Sequence, residues 1–178
     1  MKRLGLSIFA LISLTMLAGC FMPGLRPVPM DVVLTEGDLF FVLEERKEIE
    51  GVYVTLHMNP LEAIAEAKKK ENKKRMTMWA VEYNLQVKTE KKKYPELEQI
   101  RYGQEIGGFT TTEGPFNLEK NVKYHVRIEI YGREFVNEIF YIDDQNKVEL
   151  LTRKATRTYS LSTDKDGNKT LILGPVSK

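Results

Sequence analysis

The stretch VKYHVRIEIYGREFVNEIFYI, residues 122–142, decides the fold class of this chain. Apolar side chains occupy every second position of its first half, at Val122, Tyr124, Val126, Ile128 and Ile130. Successive side chains of a strand point to opposite faces of a sheet, so this pattern predicts a strand with one buried face. Gly132-Arg133 places glycine first, as in a two-residue type II′ turn, and residues 134–142 return as a second strand. The stretch therefore predicts an antiparallel hairpin.

Similar patterns recur on both sides of this hairpin. The longest alternating run, from Thr77 to Val87, predicts a central strand with the only tryptophan, Trp79, as a core anchor. Shorter strands are predicted at 32–34, 39–43, 52–56, 97–102, 147–151, 156–161 and 170–173. Parallel α/β folds need helices between most of their strands, and this pattern lacks them. We therefore expect a mainly β protein, an antiparallel β-sandwich with one inserted short helix.

One heptapeptide carries a resemblance to a known family. The sequence Leu118-Glu119-Lys120-Asn121-Val122-Lys123-Tyr124, followed by an alternating strand, resembles the tyrosine corner of immunoglobulin-like and fibronectin-type domains. These domains often keep a core tryptophan on an earlier strand, as at Trp79. The resemblance implies a sandwich over residues 31–151, with 152–178 as a C-terminal hairpin extension. The inserted helix and the missing paired cysteines depart from that family, and a lipocalin-like or other small barrel is the alternative.

The inserted helix is predicted after the strand at 52–56. Asn59 is a good N-cap, Pro60 suits the first helical position, and residues 61–74 follow with a single β-branched residue. Glu62 lies near the positive end of the helix dipole. The side chains that we expect to face the core are Leu61, Ile64 and Ala65.

Lysines cluster at the end of this helix and again before Tyr94. The two clusters consist of Lys68, Lys69, Lys70, Lys73 and Lys74, and of Lys91, Lys92 and Lys93. Cations suit a helix C-terminus, so a solvated helix end is the simplest interpretation. The alternative is a basic contact patch for anionic lipid headgroups or lipopolysaccharide phosphates, provided that the fold brings the clusters together.

The N-terminal residues resemble the signal peptide of bacterial lipoproteins. Lys2 and Arg3 precede an uncharged run from Leu4 to Leu17, which is too short to span a bilayer and fits a signal h-region. The run ends Leu17-Ala18-Gly19-Cys20, which resembles a lipobox. The resemblance implies cleavage of residues 1–19 and attachment of acyl chains, such as palmitate, to Cys20. Two or three chains hold a protein firmly at a membrane.

The residues after Cys20 predict a tether and a location. Residues 20–30 contain Pro23, Gly24, Pro27 and Pro29, and proline favours extended chain. Position 21 is Phe, whereas an Asp after the cysteine commonly retains Gram-negative lipoproteins at the inner membrane. We therefore expect a lipid-anchored envelope protein, sorted to the outer membrane and facing the periplasm if the source is Gram-negative.

The composition narrows the functional classes. The whole chain has 27 basic and 25 acidic residues, and the signal contains two of the basic residues and no acidic one. The mature chain therefore has no net side-chain charge, which argues against a nucleic-acid partner. Cys20 is the only cysteine, so the sequence predicts neither a disulfide framework nor a thiolate metal site.

The sequence contains no pattern typical of catalysis or of a cofactor. His57 and His125 fall on predicted strands, and two histidines ligate a metal only if strands align them with a carboxylate. Asp143-Asp144 are adjacent and would point to opposite faces of a strand. The acidic turn at 164–168 lacks the acid spacing of a calcium loop. We therefore expect a non-enzyme without a cofactor.

Two functional hypotheses are compatible with this sequence. The first is a structural or protein-interaction module of the cell envelope, docking through a sheet face, a sheet edge or the basic helix end. The second is a binding module for a small or glycan-like ligand. The candidate ligand or partner loop lies between Gly103 and Pro115, where we predict a flexible connection. Its candidate contact residues are Tyr102, Phe109, Thr110, Thr111 and Thr112.

Overall fold

The computed structural model describes residues 28–68, 76–84, 94–132, 134–152 and 157–174. Within these ranges the protein is mainly β, and all strand pairings are antiparallel. The elements in chain order are β1 (Met30–Thr35), β2 (Asp38–Leu56), α1 (Pro60–Lys68), β3 (Thr77–Tyr83), β4 (Glu96–Arg101), β5 (Phe109–Glu113), β6 (Lys123–Ile130), β7 (Glu134–Ile142), β8 (Val148–Leu150), β9 (Tyr159–Thr163) and β10 (Lys169–Leu173). β1 to β8 form one sheet, and β9 pairs with β10.

The 19-residue strand β2 organises the large sheet. Its first half pairs with β1 and β4, so that Phe41 lies opposite both Val32 and Ile100. Its second half pairs with β3 and β6, so that Val54 lies opposite Trp79 and Val126. The sequence predicted two separate strands here, because the charged residues between them interrupt the apolar pattern. The structure joins them, because Glu44, Glu45 and Arg46 expose their side chains while the strand continues into the half-buried residues Lys47 and Glu48.

Two sequence predictions about this sheet were wrong. The sheet order is β5-β3-β2-β6-β7-β8, so the strand containing Trp79, β3, is next to the edge and β2 is central. The run between Gly103 and Pro115 is not merely a flexible connection, because it contains β5. The glycines in this run signalled a loop, whereas the three consecutive threonines, which are β-branched and favour strands, indicated the observed conformation.

The core collects side chains from both halves of β2. Leu39, Phe41 and Leu43 contribute to the same buried cluster as Trp79 and Phe140. The opposite face of the same half-strand, with Phe40 and Val42, is buried against Leu171 of β10. The first half of β2 is therefore covered on both faces, which explains its nearly continuous apolar sequence.

Polar contacts fix the C-terminal hairpin on this face. The Gln99 side-chain amide donates to the Leu171 carbonyl at 2.7 Å, and the Leu171 N–H donates back to Gln99 Oε1 at 2.7 Å. The Tyr159 hydroxyl donates to Asp31 Oδ2 at 2.6 Å, and Lys169 Nζ lies 2.6 Å from Asp38 Oδ2. The amide of Gln99 thus pairs with β10 much as a neighbouring strand would.

The helix begins as predicted but exposes its apolar side. Asn59 Oδ1 accepts the Glu62 N–H at 2.9 Å, and Glu62 Oε2 accepts the Asn59 N–H at 3.0 Å, which is a reciprocal capping box. The expectation that Leu61, Ile64 and Ala65 face the core was wrong, because all three are exposed. Among the α1 residues whose burial the structure describes, the buried one is Glu66. The direction in which the chain leaves β2 decides which helix face packs, and periodicity does not contain that direction. Residues 69–74 of the predicted helix lie outside the described residues.

Tyr124 joins β6 to the loop before it. Its ring is buried, its hydroxyl accepts the Glu119 N–H at 2.7 Å, and the Glu119 carbonyl lies 3.4 Å away. Burial raises the pKa of Tyr124. This contact fixes the chain five residues upstream of the tyrosine, at the point where it enters the sheet.

Candidate functional site

Tyr102 holds the loop before β6 against β3. Its hydroxyl donates to the Phe116 carbonyl at 2.7 Å and lies 3.0 Å from the Met78 carbonyl. Its ring packs edge-on against Trp79, with ring centroids 5.3 Å apart. The structure therefore gives this predicted contact residue a part in packing and in positioning the loop.

Cavities flank the loop that Tyr102 positions. One, of about 330 Å³, is lined by apolar side chains of Leu56, Met78 and Phe116, together with Asn117 and Glu119. Another, of about 450 Å³, is also lined by Phe116, and its polar lining includes Asp38 and Asn117. Neither of these two cavities is lined by Phe109 or by the three threonines, whereas the second is lined by Tyr102.

The predicted residues Phe109, Thr110, Thr111 and Thr112 lie on β5. This strand pairs with β3 and ends the strand order on that side. All three threonines are exposed, and Glu113 is the only charged residue of the strand. Within the described part of the chain, β5 is thus a short, nearly uncharged sheet edge. Edges of this kind pair with added strands unless something blocks them.

Phe109 also begins a row of four aromatic rings, which we call the aromatic row and which consists of Phe109, Tyr83, Tyr94 and Tyr131. Phe109 packs on Tyr83 with centroids 5.7 Å apart, Tyr83 on Tyr94 at 4.9 Å, and Tyr94 on Tyr131 at 5.1 Å. Tyr83 and Trp79 are four residues apart on β3, about 13 Å along the strand. The aromatic row and the Tyr102 contact are therefore separate features.

Sequence reasoning missed three members of the aromatic row. Tyr83 was predicted only as part of an alternating strand, Tyr94 follows the second lysine cluster, and Tyr131 precedes the glycine of the β6–β7 turn. The backbone explains their convergence, because the Tyr131 N–H donates to the Glu48 carbonyl and the Ile49 N–H to the Pro95 carbonyl. No local sequence signal connects these two segments, which are far apart in the chain and meet at β2.

The aromatic row has acidic surroundings. Burial raises the pKa of Tyr94, and the nearby Glu50 carboxylate, which also hydrogen-bonds to it, acts in the same direction. On the neighbouring strands, Lys47 Nζ lies 2.8 Å from Glu45 Oε1 and 3.1 Å from Glu134 Oε2. This end of the molecule therefore combines phenol rings with carboxylates.

His125 lies on β6, and His57 comes directly after the last residue of the neighbouring strand β2. His125 faces Thr55 across the β2–β6 pairing and hydrogen-bonds to Asn137, while His57 is exposed. Burial lowers the pKa of His125, the charges of His57 and Arg127 act in the same direction, and the Asn137 contact opposes them. In the described ranges, no group of three or more histidine, cysteine or acidic side chains is placed to hold a metal ion.

The remaining predicted residues are largely beyond the described ranges. Lys68 ends α1 and is exposed, whereas Lys69, Lys70, Lys73, Lys74, Lys91, Lys92 and Lys93 lie outside the described residues. The same holds for Cys20 and the signal. No described helix is both long and apolar enough to cross a bilayer.

Comparison with known proteins gives no relative for this chain. No protein-family model, no curated protein and no solved structure matches it.

The raised pKa values of three tyrosines predict that the protein loses stability at alkaline pH. Burial is the main cause that raises the pKa values of Tyr53, Tyr102 and Tyr159 to about 12. An unfolded tyrosine has a pKa of about 10, so the unfolded state releases protons first and stability falls as the pH rises from 10 through 12. The urea concentration at the midpoint of unfolding should fall as the pH rises across this interval. In Tyr102→Phe, this midpoint should fall less steeply with pH. Equal slopes for both proteins would contradict the assignment to Tyr102.

Proposed function

We propose that this protein is a lipid-anchored, non-catalytic interaction module of the bacterial cell envelope, and that α1 is its docking element. The observation that carries the proposal is the exposure of two large apolar side chains on α1, Leu61 at 79% and Ile64 at 52%. They are three residues apart, and Ala65 next to them is also exposed, so they share one face of the helix.

A helix with an exposed apolar face suits a groove on a partner protein. Helix-in-groove recognition uses anchors at positions i, i+3 and i+4, which match Leu61, Ile64 and Ala65. Burying a leucine or isoleucine side chain is worth about 1.5–3 kcal/mol, so two anchors contribute a substantial part of a micromolar affinity. The capping box at Asn59 holds this helix formed before it binds, which lowers the entropic cost of docking.

The edge strand β5 provides a second route to the same function. Its exposed threonines present a nearly uncharged edge to which an extended segment of a partner could add as a further strand. This observation supports an interaction module independently of α1.

The ligand-binding alternative has less support. A ligand site needs a cavity with convergent polar groups. The hydroxyl of Tyr102 is engaged by backbone carbonyls, and Phe109 packs on Tyr83 instead of lining the cavities beside Phe116.

The proposal also includes a lipid anchor at Cys20 and an immunoglobulin-like arrangement of the strands. The lipobox sequence at Leu17–Cys20 supports acylation of Cys20 and a location in the envelope, at the outer membrane of a Gram-negative source. The Tyr124 contact with Glu119 and the core shared by both halves of β2 support an immunoglobulin-like sandwich.

Crosslinking in intact cells tests the docking role of α1. A photoreactive residue at Leu61 should capture one dominant envelope protein. A second variant carries the photoreactive residue at the neighbouring position Ala65. In this variant, replacing both anchors, Leu61→Asp with Ile64→Asp, should reduce the amount of captured partner by about tenfold or more, because about 3 kcal/mol of apolar burial is lost.

The hairpin β9–β10 offers a matched control. Ile172 and Leu173 are 55% and 54% exposed, and Ile172→Asp with Leu173→Asp makes the same chemical change elsewhere. This control should keep the partner. Equal loss in both double variants, or recovery of the protein alone, would refute docking through α1.

A further inference from the structure

The described chain begins beside the β6–β7 turn. The Val28 N–H donates to the Phe135 carbonyl at 3.2 Å. Phe135 pairs with Glu129, two residues before Tyr131, which is 57% exposed at the turn. Any anchor upstream of Val28 therefore joins the domain at the end that carries Tyr131.

We infer that the aromatic row is a membrane contact, and that its exposed end lies in the interfacial region of the bilayer that holds the anchor. This inference rests on the proposed acylation of Cys20. Tyrosine combines an apolar ring with a polar hydroxyl, and it is enriched where a membrane meets water. Tyr131 and Tyr94 present such rings in contact with one another, 5.1 Å apart.

The length of the tether favours this orientation. Seven residues, 21–27, lie between Cys20 and Val28, and the eight Cα–Cα steps span at most about 28 Å. The second half of β2, from Ile49 to Leu56, runs away from the aromatic row and towards α1 for about 23 Å. With the aromatic row at the bilayer, α1 is held away from the membrane, where a partner protein can reach it.

The charges beside the aromatic row are of both signs. Among the described residues, Glu50 lies beside Tyr94, and Lys47 is paired with Glu45 and Glu134. In the sequence, three lysines at 91–93 come directly before Tyr94, and Arg133 follows Gly132. The contact is with the interfacial region of zwitterionic phospholipid, because tyrosine rings favour that region without any net headgroup charge.

Fluorescence quenching by brominated lipid tests this contact. The full-length lipoprotein is purified, its lipid on Cys20 is verified by intact mass, and it is placed in phosphatidylcholine nanodiscs with or without acyl-chain bromine. Trp79 is fully buried, so the wild-type emission is the background. The additional emission of Tyr131→Trp should fall about twofold in brominated discs, because an interfacial indole lies next to the labelled chains.

Tyr141→Trp is the matched control, because Tyr141 pairs with Lys123 at the opposite end of β7. Its emission should be unchanged. Quenching of neither variant while the lipid is present on Cys20 would overturn the membrane contact and leave the proposed anchor standing, and equal quenching of both would overturn the orientation. A Cys20 without lipid would overturn the anchor and the contact together. A response of Tyr131→Trp to peptidoglycan fragments, without bromine quenching, would replace the membrane contact by a glycan surface.

Discussion

Gly114→Ala is expected to lower the free energy of unfolding by about 3 kcal/mol or more, close to the upper end for single substitutions. A Cβ atom at this position would lie 2.2 Å from the Met78 carbonyl oxygen and 3.1 Å from the Trp79 Cα. Both contacts are with the backbone of β3, which cannot move away without disturbing its pairing. Gly114 also has a φ of +72°, which side chains rarely adopt.

Urea or thermal unfolding measures this effect, and two glycines serve as controls. Gly132 has a φ of +92° but open space at its Cβ position, so Gly132→Ala should cost only about 1 kcal/mol of conformational strain. Gly107 has neither constraint, and Gly107→Ala should be nearly neutral, within about 0.5 kcal/mol. Similar losses for Gly114→Ala and Gly132→Ala would show that the chain at Gly114 relaxes without disturbing β3.

Trp79→Ala is expected to cost about 3–5 kcal/mol, because it leaves a large cavity in the middle of the core. The ring is fully buried, and it contacts the Tyr102 ring that holds the loop at Phe116. Its removal should therefore also loosen this loop. The Phe116 N–H donates to the Met78 carbonyl, so its hydrogen-exchange rate should rise when the loop loosens.

Trp79→Phe distinguishes the contribution of the indole ring's volume to stability from that of any hydrogen bond made by its nitrogen. The indole Nε1 is buried and finds no hydrogen-bond partner among the residues that the structure describes. Phenylalanine therefore removes part of the volume without breaking a hydrogen bond, and the cost should stay below about 2 kcal/mol. A cost equal to that of alanine would indicate that the indole nitrogen contributes a contact that the geometry does not show.

The strands that could be predicted are those whose pattern is self-contained. β6 and β7 were predicted within a residue of their observed bounds, because their alternation reflects one buried face on each strand. β5 was missed, because an edge strand with exposed side chains needs no alternation. The continuity of β2 was missed, because Glu44, Glu45 and Arg46 are exposed and the pairing with β4 is irregular there, while the strand continues.

The candidate site was less predictable than the strands. Tyr102 and Phe109 were selected as neighbours in sequence, yet their rings pack on Trp79 and Tyr83, two positions well separated along β3. The aromatic row needs the segments that contain Tyr94 and Tyr131 to be brought together at β2. The apolar face of α1 was identified from the sequence, but it was expected to face the core and is exposed instead. A periodic pattern identifies an apolar face, and the rest of the fold decides whether anything covers it.

The sequence by itself determined the mainly β class, the antiparallel hairpins, the cap of α1 and the separation of charged from apolar strand faces, because each depends on residues close together in the chain. Tertiary structure alone decided that β2 is shared by four neighbours, that β10 covers its outer face, and that the aromatic row and the exposed face of α1 lie at opposite ends of the second half of β2. These features depend on pairings between residues many positions apart, whose energies are not encoded in any local window.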